Sequence, residues 1–132
     1  MMRAISYLWV GLGGGLGAIL RVALSTILPS FILSIPLKIL CVNILGCFAL
    51  GLLTEIMAVY WNAPQSIRYF LVPGLLGGFT TFSAFSLEFG LLYKEGYSTT
   101  ALIYAALSVV LSLGFFFVGL KIVRSFSLFF QN

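Results

Sequence analysis

A membrane-length apolar segment, Ile67 to Tyr93, is interrupted by the run Gly74-Leu-Leu-Gly-Gly-Phe-Thr-Thr-Phe-Ser-Ala-Phe85. Hydrocarbon offers no water to free backbone N–H and C=O groups. A helix broken there needs protein, ion or trapped water to satisfy them. Gly77, Gly78, Thr80 and Thr81 are poor helix formers placed close together. The segment therefore reads as a spanning helix built to leave carbonyls unpaired near mid-membrane. Carbonyls left free at that depth are typical of ion sites in membrane proteins.

Of the 132 residues, 61% are hydrophobic and only 8% charged. A soluble domain carries about 25% charged residues, so the chain reads as an all-α integral membrane protein. A spanning helix needs about 20 apolar residues, and the length then accommodates four spans in one domain, 1–132, with no soluble lobe. The spans are expected at about 5–28, 37–59, 67–93 with a break near 74–81, and 99–123. Pro36 suits the first turn of the second. Arg3 before an apolar run imitates a signal peptide, but the run continues to Leu28. That is longer than the roughly 7–15 residues of a signal core, so it reads as a retained first helix.

The net charge of +4 comes from seven basic and three acidic residues. The basic residues are scattered at segment ends, which argues against nucleic acid as a partner. Short connections make neighbouring spans antiparallel. One side would then hold Arg3, Arg68, Lys121 and Arg124, and the other Lys38 and Lys94, with Arg21 deeper in the first helix. That bias is weak under the positive-inside rule. A chain that inserts both ways can pair with itself, so an antiparallel, dual-topology homodimer in the lipid bilayer is expected.

Enzymatic chemistry has no members here. There is no His, and the acids are only Glu55, Glu88 and Glu95, so no nucleophile–base dyad can be assembled. Cys41 and Cys47 lie on different faces of one apolar helix and read as small core residues. What remains is a set of uncharged donors and aromatics. Asn43 is a costly amide in hydrocarbon unless bonded; it is either interhelical glue or a donor lining a path. Thr100, Tyr104, Ser108 and Ser112 recur every four residues and favour a hydrophilic track over plain packing. Phe82 and Phe85 share a face if a helix resumes after the break. Such a pair is ordinarily core, yet ring edges carry positive potential and suit a small anion. Arg21 either snorkels or draws anions into a vestibule. The glycines of the first two spans read as tight-packing positions, and Glu88 has no partner visible from sequence.

The stretches Gly14-Gly-Leu-Gly-Ala-Ile-Leu-Arg21, Val42-Asn-Ile-Leu-Gly46 and Gly74 to Phe85 resemble the fluoride-specific channel family, Fluc or CrcB. Gly-Gly-x-Thr-Thr-Phe-Ser-x-Phe is the specific part, and the likeness covers nearly the whole chain. Two departures stand out. The family often has Gly-Thr at Lys38-Ile39 and an aromatic at Val22. The resemblance implies a passive fluoride-selective channel of the cell (inner) membrane that exports fluoride and lowers its toxicity. It implies an antiparallel homodimer with two fluoride paths. A structural, untransported sodium ion would sit at the dimer centre, on main-chain carbonyls of Gly77 and Thr80. It implies that Asn43 donates to fluoride and that Phe82 and Phe85 present ring edges. Tyr104, Ser108 and Ser112 would form the polar track, and Arg21 would line the vestibule. The alternative is a small multidrug-type proton-coupled exporter. That family's membrane-embedded carboxylate lies on the first helix, where this chain has no acid. A non-transporting assembly subunit needs neither a hydroxyl stripe nor a broken span.

Overall fold

The computed structural model describes residues 4–131; Arg3, counted above in the charge bias, lies outside the described residues. Among the described residues, four helical segments are long and apolar enough to cross a membrane: Ala4–Ile27, Lys38–Val59, Gln65–Lys94 and Ser98–Phe130. The protein is an all-α, multi-pass membrane protein. Its apolar side chains face outward in numbers that water would not tolerate, with Leu8, Ile19, Leu102 and Val110 all exposed.

The first span is helix α1, Ala4–Ile27. A short hairpin follows, β1 Phe31–Ile32 paired antiparallel with β2 Ile35–Pro36. Its two-residue turn puts Leu33 and Ser34 at φ 51° and 68°, the left-handed region that a primed turn demands. Pro36 therefore sits in a strand, not in the first turn of the second span. Helix α2 begins one residue past Leu37 and covers Lys38–Val59.

The third span is composite. Helix α3, Gln65–Tyr69, widens into π-helical turns over Phe70–Leu76, and α4 is a single turn, Gly77–Phe79. Pro73 lies inside the widened stretch and brings no amide hydrogen. The wider turns shift the hydrogen bonding, so the Gly77 N–H reaches the Val72 carbonyl. At Thr80 (φ −77°, ψ 155°) and Thr81 (φ −155°, ψ 123°) the backbone is extended. Helix α5 then runs Phe82–Lys94. The extended part is thus two residues, narrower than the 74–81 read from sequence. Helix α6, Ser98–Gln131, continues beyond the expected end at 123; its 34 residues span about 51 Å, well past the roughly 30 Å of hydrocarbon.

Two close-packed pairs organise the bundle, α1 with the π-helical stretch and α2 with α6. Glycine makes both possible. A methyl on Gly17 would stand 2.1 Å from the Leu75 carbonyl oxygen, and one on Gly51 2.1 Å from that of Phe116. Small residues let backbones touch where lipid supplies no hydrophobic drive for association. The α5–α6 contact closes the arrangement around Leu40, Leu92, Ala101 and Tyr104.

Candidate functional site

The extended pair is held from the side by α2. Asn43 donates from Nδ2 to the Thr81 carbonyl at 3.0 Å, and its Oδ1 accepts from the Thr81 N–H at 2.8 Å. One amide side chain thereby pairs both backbone groups of Thr81. In a continuous helix the Thr81 N–H would serve the Gly77 carbonyl; here it does not. Thr81 in turn caps α5, its Oγ1 accepting from the Ala84 N–H at 3.2 Å. That N–H would otherwise serve the Thr80 carbonyl. The two side chains Asn43 and Thr81 therefore strip Gly77 and Thr80 of their helical donors. On the other side of the bend, the Thr80 N–H and Oγ1 both bond the Leu76 carbonyl, at 3.0 and 2.9 Å.

The result is a juxtaposition of opposite helix ends. The segment ending at Phe79 presents carbonyls, the partially negative pole; α5 begins at Phe82 and presents N–H groups, the partially positive pole. Among the described residues no cluster of three His, Cys, Asp or Glu could hold a metal ion. A cation here would have to rest on main-chain oxygen, and the released Gly77 and Thr80 carbonyls are chemically suited to that.

Beside the bend lies a groove of about 520 Å³. Asn43, Phe82, Phe85, Ser108 and Ser112 line it, as do Gly77 and Thr80. Asn43 carries two amide hydrogens and spends one on Thr81, which leaves one for the groove. The rings of Phe82 and Phe85 stand 5.1 Å apart at 52°, with Phe82 strongly exposed at 75%. Behind Phe85, at 5.3 Å between centroids, lies Tyr104, which is fully buried. Tyr104 thus backs the wall and does not line it. Its hydroxyl donates to Glu88 Oε2 at 2.5 Å, which supplies the partner that sequence could not name. Ser108 Oγ is buried beside the Tyr104 hydroxyl but meets no partner of good geometry among the described residues. An orphaned hydroxyl of this kind costs about 1–3 kcal/mol in a sealed interior, and Ser108 stands on the groove wall.

A family model described as "CrcB-like protein, Camphor Resistance (CrcB)" matches residues 8–120. The chain belongs to this family. A Rhizobium etli protein named "Fluoride-specific ion channel FluC" is 41% identical over 126 residues, covering 92% of this chain and 98% of the relative. A Granulibacter bethesdensis protein of the same name is 43% identical over 122 residues, covering 92% and 96%. One from Chelativorans sp., also so named, is 44% identical over 117 residues, covering 88% and 94%. These relatives are named as channels, not enzymes. In a bacterial cell, a CrcB-family protein with four helical spans is an inner-membrane protein.

The remaining sequence-derived positions sort by distance from the groove. Arg21 is half-buried on α1, one turn beyond Gly17, and does not line it; its Nε is enclosed without a hydrogen-bond partner among the described residues. Thr100 is half-buried, also outside the lining. Two positions were missed. By composition Thr81 reads only as a helix breaker, whereas it is the cap that starts α5; the Thr-x-x spacing ahead of an apolar run is the available signal. Cys47 also lines the groove, as Ser112 does. Its place four residues after Asn43, on the same helix face, was the signal there.

Proposed function

We propose that the protein is a passive, fluoride-selective channel that lets fluoride leave the cell and so lowers its toxicity. The observation that carries the reading is the groove, where one spare amide hydrogen, two phenylalanine rings and two serines meet beside a helix N-terminus. Fluoride is small and tightly hydrated, so a selective path must replace water with strong donors. Asn43, Ser108 and Ser112 offer neutral donors, which bind without the deep well a fixed ammonium or guanidinium would create. The edges of Phe82 and Phe85 add positive potential. Tyr104 fixes the ring of Phe85 from behind, and Arg21 attracts anions towards a vestibule by its field. Relatives named for fluoride add chemical identity to a site whose neutral donors and ring edges suit a small anion.

The second part of the proposal is an antiparallel, dual-topology homodimer with a structural sodium ion at its centre. One chain offers two released carbonyls, those of Gly77 and Thr80, too few to replace an ion's water shell. An inverted second copy doubles the set. When bound, sodium supplies positive charge that balances carbonyl dipoles; it is not transported. Phe82, 75% exposed in the single chain, gains a protein surface in such a pair.

Purified protein in liposomes is expected to release fluoride rapidly in sodium-containing buffer while retaining chloride. A fluoride electrode in the external solution reads this directly. No fluoride release, or equal release of both anions, would overturn the channel reading.

A further inference from the structure

At the hairpin end of the bundle a second cavity, about 260 Å³, brings together the half-buried Lys38 and Glu88 and the exposed Glu95. Ser30, Phe31 and Pro36 complete part of its wall. Lys38 comes from the first residue of α2, Glu88 and Glu95 from α5 and its end. No direct ion pair closes among them in the described residues, but the Lys38 charge is felt at the Glu88 carboxyl. Lys94, next to Glu95 in sequence, does not line the cavity.

Lys38 is poorly placed for helix stability. It opens α2, where the helix dipole disfavours a cation, and Leu37 ahead of it gives no side-chain cap. Its neighbours across the cavity explain it better. Glu88 also faces the other way, accepting from Tyr104, which touches Phe85 and lies beside Ser108 of the groove. Glu88 on the cavity wall is thus linked through Tyr104 to Phe85 on the groove wall. On the channel reading, an anion leaving the groove on the Glu88 side passes two carboxylates, and Lys38 is the one cation lining the cavity.

We propose that Lys38 is a charge-compensating residue at one mouth of the anion path, offsetting one of the two negative charges of Glu88 and Glu95 so that anions can pass. The proposal rests on the channel reading above. Lys38 touches no anion in this role. It acts through the two carboxylates.

The test is fluoride efflux from liposomes carrying full-length wild type, K38M, K38R or K38M/E95Q. Each is first shown to elute as the wild type does in detergent. K38M is expected to slow efflux about tenfold at roughly 10 mM ionic strength. The deficit should shrink to less than about twofold near 1 M of an impermeant salt, where the Debye length is only about 3 Å. K38R should match wild type, and E95Q should restore most of the K38M loss because it removes one uncompensated charge. Wild-type efflux in K38M at low ionic strength would overturn the proposal. So would a K38M loss that neither salt nor E95Q relieves, since Lys38 would then be an anchoring residue only. Absence of fluoride efflux from wild type itself would overturn the channel reading, a separately recognisable failure.

Discussion

Asn43 does two things with one side chain. It pairs both backbone groups of Thr81 across 38 positions of sequence, and it keeps one amide hydrogen for the groove. A residue that only glued helices would not need to stand on the groove wall, and one that only bound an anion would not hold the bend. Asn43→Ala should therefore reduce fluoride efflux at least about tenfold, through lost donation and a shifted groove. The chain should still insert and elute as before. Efflux at wild-type rate would remove Asn43 from the path. Thr81 separates the structural share from the chemical one. Thr81→Ala deletes the cap on α5 and should cost about 1 kcal/mol of stability, while Thr81→Ser keeps the accepting oxygen and should cost much less. Denaturation in detergent, followed by helical signal, reads both; equal losses would show that the cap is not the hydroxyl's contribution.

Among the elements, the hairpin between α1 and α2 is where the chain stores strain. Leu33 and Ser34 both occupy the left-handed region, which primed turns normally fill with Asn and Gly. Leu33 is 90% exposed, so nothing packed repays it. Leu33→Asn with Ser34→Gly should stabilise the chain by about 1 kcal/mol, measured by the same denaturation; a loss would mean that the Leu33 side chain is held by lipid or by another chain. The strain also explains why the hairpin was not legible: without an Asn-Gly or Asp-Gly signal, Pro36 read as a helix start. The four spans were legible because length and apolar content suffice to identify them. The π-helical turns were not, since a proline in a span signals a disturbance and not its geometry. Glu88 and Tyr104 meet across two helices, a contact that spacing along one helix cannot reveal. The groove-lining set was readable as residue types in a pattern. Which of them lines the groove and which, like Tyr104, stands behind was decided by packing.

For the whole molecule, stability and function meet in the proposed pairing of two inverted copies. A ligand bound only by the assembled state stabilises it by mass action. Replacing sodium by a bulky organic cation should therefore slow fluoride efflux and favour monomers, with both effects reversed when sodium returns. Liposome efflux and size measurement in the same buffers check this, and indifference of both to sodium would remove the ion from the proposal. The close α1 and α2 contacts at Gly17 and Gly51 lie within one chain and would be unaffected by the exchange.

The diverted Thr81 amide also bears on how such a chain fails. No proline stands at Thr80 or Thr81, and nothing covalent keeps the third span open. The diversion of the Thr81 N–H depends on one amide side chain in a different span. Without it, the Thr81 N–H is free to return to the Gly77 carbonyl, and the span can close into an unbroken rod. The damaged protein would then be a tidier one: expressed, inserted and resistant to degradation, but silent. Loss of transport in this architecture can look like good health to every cellular quality check that inspects folding alone.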